Sequence, residues 1–369
     1  MTGCLRKNVA QEQSMKNKII AMISILALSV CSLSGCSQDL DAAQKTGASI
    51  TVFNYSEYLE PEMLEQFTKE TGIEVKYEEA TTPEEMYTKY KSGGISYDLI
   101  CTSDYMVKRL IDEGEAQKID FSLMPNAANI SQRFWDMSKP IDPDNAYALP
   151  YFWGTIGILY DTTKVKEPVK SWKVLFDGEY ADDIIMQDSM RDTFMITLKY
   201  LGYSLNTDDE YEIREAANAL FAQKPDVEAY LVDEVRDEIV AGNATMGVIY
   251  SGEAYLGNQY NSDLAYVIPE EGSNLWIDSW IMTRNCKEKD AAMKFLDFLC
   301  REDVATANFE YIYYSTPNEA VIEAMDPELR NNPAIVPTEE SLVNCEVCTQ
   351  FDPKTTELYN ELWKELKAK

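Results

Sequence analysis

The segment LWIDSW, Leu275 to Trp280, carries the most demanding chemistry in the chain. On an extended strand alternate side chains share a face, so Trp276, Asp278 and Trp280 point the same way. An ionised carboxylate between two indoles is costly to bury without a partner. Asp278 therefore calls for a cation, and its own strand supplies none. The ends of two other strand candidates carry similar residues: Tyr55, Ser56, Glu57 and Tyr58 after ITVFN, and Ser103, Asp104 and Tyr105 after YDLICT. Asp104 reads as a first-turn helix acid favoured by the helix dipole.

Aromatics, acids and hydroxyls without a basic residue do not suit an anion, which wants Arg, Lys or open helix N-termini. A monosaccharide would want Asn, Gln and Arg beside its stacking rings. The set fits an organic cation with aliphatic segments. A carboxylate 4 Å from an ammonium is worth ~4 kcal/mol at an effective dielectric near 20, before desolvation. Each ring face adds ~0.5–2 kcal/mol, and methylenes on rings add about 25 cal/mol per Å².

Composition excludes several other classes. The chain has 369 residues and no histidine, which removes Ser-His-Asp and Cys-His nucleophiles and every His-containing zinc site. The nucleotide and hydrolase motifs G-x-x-x-x-G-K-[ST], G-x-G-x-x-G and G-x-S-x-G are absent, so no cofactor is expected. A formal net charge of −30 repels nucleic acid and weakly attracts cations. CEVC at 345–348 is a single C-x-x-C, weak as a metal half-site and equally readable as a redox pair or local disulfide.

The elements that must position these residues follow from pattern. Lys16 and Lys18, the apolar run Ile19 to Val30, and LSGC at 33–36 read as a secretory leader over 1–35. Translation starts at Met1 or Met15. A polar tether follows over 36–48. From Ser49, strands alternate with helices: ITVFNY, then EPEMLEQFTKETG; IEVKYEE, then TPEEMYTKYKSGG; YDLICTS, then DYMVKRLIDEG. This is the signature of βαβ units on a parallel sheet, with ligands beyond the carboxyl ends of the strands. A second unit begins near YALPYFWGTIGILYD, whose Pro150 and Gly154 suit a crossing between lobes. It continues through DIIMQ, a helix capped by Asp188, an acidic helix near 233–240, ATMGVIYSG, AYVIP and NLWIDSWIM. KDAAMKFLDFLC and TTELYNELWKELKAK are amphipathic helices. The length and pattern together indicate a two-lobed α/β protein.

From Ser49 to the C-terminus the chain resembles the extracellular substrate-binding proteins of bacterial spermidine/putrescine ABC importers. FNYSEYLEPEMLEQFTKETGIEVKY, EEMYTKYKSGGISYDLI, ALPYFWGTIGI, LWIDSW and YSTPNEA carry the resemblance, in the family's order and spacing. It implies a two-lobed periplasmic-binding-protein fold (type II), each lobe a mainly parallel sheet flanked by helices, with the ligand between them. Lobe 1 is expected over 49–151 plus 278–320, and lobe 2 over 152–277 plus 321–369. LSGC resembles the lipobox of bacterial lipoproteins, which implies lipidation of Cys36 and a monomer anchored facing outside the cell or in the periplasm. A permease and its ATPase are the implied partners.

Matched position by position, the resemblance implies ligand contacts at Tyr55, Ser56, Glu57, Tyr58, Ser103, Tyr105, Asp192, Tyr250, Glu253, Trp276, Asp278 and Tyr314. Trp276 is then the central aromatic and Asp278 the main amine-binding carboxylate. Ser189 stands where spermidine-preferring members carry a second acid, and Glu253 where putrescine-preferring members carry one. This exchange shifts negative charge toward the putrescine-like pattern. Gln350 is the nearest match to an expected glutamine. Two alternatives stay open: a binding protein for another organic cation or small polar solute, and a secreted hydrolase using acids such as Asp192 and Asp278. The latter would need two carboxyls ~5–9.5 Å apart.

Overall fold

The computed structural model describes residues 47–369; the leader, Cys36 and most of the tether lie outside the described residues. Ten strands carry the fold: β1 (Ser49–Tyr55), β2 (Glu74–Ala80), β3 (Leu99–Ser103), β4 (Ala116–Gln117), β5 (Ala148–Asp161), β6 (Ile184–Gln187), β7 (Val227–Leu231), β8 (Met246–Tyr250), β9 (Leu264–Val267) and β10 (Leu275–Thr283). They lie in the order β2-β1-β3-β10-β5-β8-β6-β7, with β4 beside β10 and β9 beside β5.

Two parallel cores are visible in this order. β1 pairs parallel with β2 and β3, and β6 pairs parallel with β7 and β8. Between them run two antiparallel insertions. β10 lies antiparallel to both β3 and β5, and β5 lies antiparallel to β8 and β9. β5 is the joint: residues 148–155 bond to β10, and 156–161 bond to β8 and β9. All fourteen of its residues are buried, as a strand covered on both faces requires. Gly154 serves a contact there rather than a turn: a Cβ would stand 2.5 Å from Cζ2 of Trp276.

Local chemistry starts and stops the helices where the sequence pattern places them. Glu60 caps helix Pro61–Thr71, which ends at Gly72 with φ 71°. Thr82 Oγ1 accepts the Glu85 amide at 3.1 Å to start helix Pro83–Ser92, and Gly93 ends it with φ 71°. These are N-cap and left-handed C-cap devices. One cap differs from expectation. Ser189, not Asp188, caps helix Met190–Tyr200; Asp188 instead accepts from Lys367 at 2.7 Å.

Each half has its own core. Ile50, Val52, Leu99, Trp280 and Phe295 cluster under the first, and Ile158, Trp172, Phe194 and Val248 under the second. Helix Pro353–Ala368 adds Tyr359, Leu362 and Leu366 to the second core. The five described cysteines are free thiols. Among the described residues no helix is long and apolar enough to cross a membrane.

Candidate functional site

β10 brings Asp278 to the carboxyl end of β3, where it stands opposite Ser103. Asp278 is 6% exposed, and the Tyr58 hydroxyl donates to its Oδ2 at 2.5 Å. Burial pushes its pKa up to about 6 against the pull of the Tyr58 and Ser103 hydroxyls. The Tyr55 hydroxyl hydrogen-bonds with Ser103 Oγ at 2.9 Å and Thr102 Oγ1 at 3.2 Å, and accepts the Ser103 amide at 3.2 Å. Among the described residues no lysine or arginine ion-pairs with Asp278. Its partners inside the protein are neutral hydroxyls, chiefly the Tyr58 phenol.

The second half presents a matching acid. Asp192 sits in the first turn of helix Met190–Tyr200, 7% exposed, and its amide donates to Ser189 Oγ at 3.3 Å. The Tyr250 hydroxyl, at the end of β8, donates to Asp192 Oδ2 at 2.8 Å. Burial raises the Asp192 pKa, opposed by Ser189, Tyr250 and the nearby Arg191. Arg191 itself is turned elsewhere. It donates to Thr349 O and to Cys348 Sγ, the latter at 2.6 Å, and its guanidinium stacks 3.7 Å from the Phe351 ring centre.

A continuous run of rings joins the two acids. Tyr58 meets Tyr314 edge-on at 5.9 Å, Tyr314 meets Trp276 at 5.1 Å, and Trp276 meets Tyr250 at 6.4 Å. Tyr55 packs edge-on against Tyr58 at 5.3 Å. Gly252 admits this run, because a Cβ there would lie 2.1 Å from the Tyr314 ring. Trp280 does not join it. It is fully buried against Tyr151 and Phe295, so it is core.

The structure thus brings Tyr55, Tyr58, Ser103, Asp192, Tyr250, Trp276, Asp278 and Tyr314 together, with Ser189 behind Asp192 as its helix cap. Other expected positions are placed differently. Glu253 is fully buried, and Arg236 Nη1 donates to it at 2.5 Å. Its charge is matched within the protein, so the expectation that it receives a ligand amine is corrected. The added charge that pointed toward putrescine goes with it. Ser56 and Glu57 are exposed in the turn after β1, where Glu57 adopts φ 56° and the Ser56 amide donates to Ala80 O. The Tyr105 hydroxyl donates to Glu84 at 2.9 Å, and its ring faces Arg191 at 5.8 Å. Gln350 is exposed on the segment that anchors Arg191.

Two residues at the site escape the sequence reading. Arg191 is a lone base beside an acid, indistinguishable from a surface pair in one dimension. Asp104, read as an ordinary first-turn acid, is only 1% exposed. Burial pushes its pKa up to about 7, with Asp278 adding to the rise and Arg191 opposing it.

Residues 62–338 match the family of bacterial extracellular solute-binding proteins. The chain is 38% identical to the spermidine/putrescine-binding periplasmic protein of Escherichia coli, over 86% of this chain and 90% of the relative. Its fold superposes on the spermidine/putrescine ABC transporter substrate-binding protein of Streptococcus pneumoniae with a TM-score of 0.79 and 37% identity, covering 87% of this chain and 99% of that one. A putative spermidine/putrescine ABC transporter protein of Listeria monocytogenes gives 0.78 and 35%, covering 86% and 98%.

Proposed function

We propose that this chain, which belongs to the bacterial extracellular solute-binding protein family, captures a polyamine, putrescine or spermidine, and hands it to an ABC importer. The observation that carries the reading is the pair of buried acids, Asp278 and Asp192, each held by a tyrosine hydroxyl and joined by a run of rings. One ammonium group sits at each carboxylate, and the methylenes between them lie along Trp276 and Tyr314. A charge in a dry cleft is stabilised when an opposite charge arrives, and the ligand brings it. The family and its relatives are transport binding proteins, so the chain is not an enzyme, and the hydrolase reading is set aside.

Capture works by population shift. The halves 49–151 plus 278–320 and 152–277 plus 321–369 open and close about the joint strands, and a ligand touching both favours the closed form. The closed form presents its surface to a membrane permease coupled to an ATPase. Export through the leader and lipidation of Cys36 would hold the monomer at the outer face of the membrane.

Isothermal titration of purified protein with putrescine, spermidine, glycine betaine and glucose tests the reading. Micromolar or tighter binding of a polyamine, with no heat from the other two, is the expected outcome. A protein silent to both polyamines refutes it. Metabolic labelling with a radioactive fatty acid tests the anchor, because Cys36→Ala should abolish incorporation.

A further inference from the structure

The acid beside Asp278 has no task in the reading above. We propose that Asp104 is a third ligand-binding carboxylate of the cleft, seated next to Asp278 so that both receive the same ammonium end of the polyamine. This rests on the polyamine reading and adds a residue to it.

Position comes first. Ser103 faces Asp278 across the β3–β10 ladder, and Asp104 is the next residue, opening the nine-residue helix Asp104–Asp112. Its carboxylate is 1% exposed. Oδ1 accepts the amide of Tyr105 at 2.6 Å, and Oδ2 has no hydrogen-bond partner. A buried carboxylate oxygen left without a donor is unfavourable unless something else supplies one.

The groups packed around it do not. Asp278, from β10, is a like charge, and the Ile277 amide of the same strand favours the ionised form only weakly. Tyr105 spends its hydroxyl on Glu84. Arg191, from helix Met190–Tyr200, lowers the Asp104 pKa from a distance. Its Nη2 donates to Cys348 and Thr349, and its face lies on Phe351. Among the described residues its buried Nε makes no hydrogen bond to Asp104 or to any other group. The Cys348 thiol is pushed up to about 12, chiefly by burial, so it stays neutral. Two neighbouring carboxylates cannot both ionise cheaply without a cation between them. A primary ammonium carries three donors, enough for Oδ2 of Asp104 and an oxygen of Asp278 at once. Asp104 then gives up its proton as the ligand arrives.

Calorimetry on the purified protein and its Asp104→Asn variant, with putrescine and spermidine in two buffers of different ionisation heat, tests this. Asparagine keeps the acceptor for the Tyr105 amide and removes only the charge. The expected result is a Kd at least tenfold weaker for both ligands, less proton release on binding near neutral pH, and a ligand-free unfolding midpoint equal to or above that of the parent. Unchanged Kd and proton release in Asp104→Asn, with the parent binding polyamine normally, overturn this proposal alone. A weaker Kd accompanied by a lowered ligand-free midpoint also overturns it, since that pattern marks a structural role. A parent protein that binds neither polyamine overturns both readings.

Discussion

Asp278 is held by a phenol, and this choice governs how the site answers to mutation and to acid. A tyrosine hydroxyl satisfies one lone pair without cancelling the charge, so the carboxylate keeps its full demand for a cation. Asp278→Ala should weaken polyamine binding by ~2–4 kcal/mol, the scale of removing one partner of a desolvated charge pair. Calorimetric titration reads the loss, and an unchanged Kd would refute the assigned role. The raised pKa sets the pH dependence. Asp278 titrates near 6 when folded, against 3.8 for the unperturbed group. Between these values the folded protein holds a proton that the unfolded chain has released. The group's contribution to ligand-free stability is therefore full below the unfolded value and declines as pH rises toward the folded one. Ligand binding has the opposite slope, because it needs the ionised acid. Below about pH 6 the Kd should rise roughly tenfold per pH unit for each proton displaced. Titrations on either side of that pH check the slope, and a flat profile would deny Asp278 the ligand.

At the scale of elements, what could be read from the chain was what local chemistry writes. Alternation in LWIDSW placed Trp276 and Asp278 on one face but wrongly added Trp280, which lies past the register shift between Asp278 and Ser279. Thr82 and Gly93 bracketed their helix, and YALPYFWGTIGILYD was legible as a crossing from its Pro150 and Gly154. Partner choice was not legible, because it is decided where distant elements meet. Glu253 looks like a free cleft acid until helix Glu234–Ala241 packs beside helix Ser251–Tyr260 and brings Arg236 against it. Asp104 looks like a solvated first-turn acid until β10 inserts antiparallel beside β3 and covers it. Both outcomes are checkable. Arg236→Met leaves the Glu253 charge buried without its cation and should cost ~3–5 kcal/mol in urea denaturation, while adding Glu253→Gln should restore much of it. Gly252→Ala drives a methyl into the Tyr314 ring. The displaced ring opens the aromatic run, so polyamine affinity should fall by ~0.5–2 kcal/mol, the scale of one ring face on a cation. Binding at parental strength would show that Tyr314 is not a ligand wall.

On the scale of the whole molecule, the two acids belong to different halves. Asp278 hangs from β10 on the β3 side of the joint, and Asp192 from the helix after β6 on the other. A ligand moves an open–closed equilibrium only through its differential affinity for the two states. On the proposed closure of the two halves, a diamine long enough to reach both carboxylates gains its second contact only in the closed form, so its binding energy includes a closing term. A monoamine with the same four-carbon chain satisfies one acid and gains little from closure. Small-angle scattering should therefore show a smaller radius of gyration with saturating putrescine or spermidine, and no contraction with butylamine at concentrations that occupy Asp278. Asp192→Asn should uncouple the two effects, leaving residual putrescine binding without contraction. Equal contraction with butylamine would place the closing force in the rings rather than in the paired charges. The bridging role of Asp192 would then be lost.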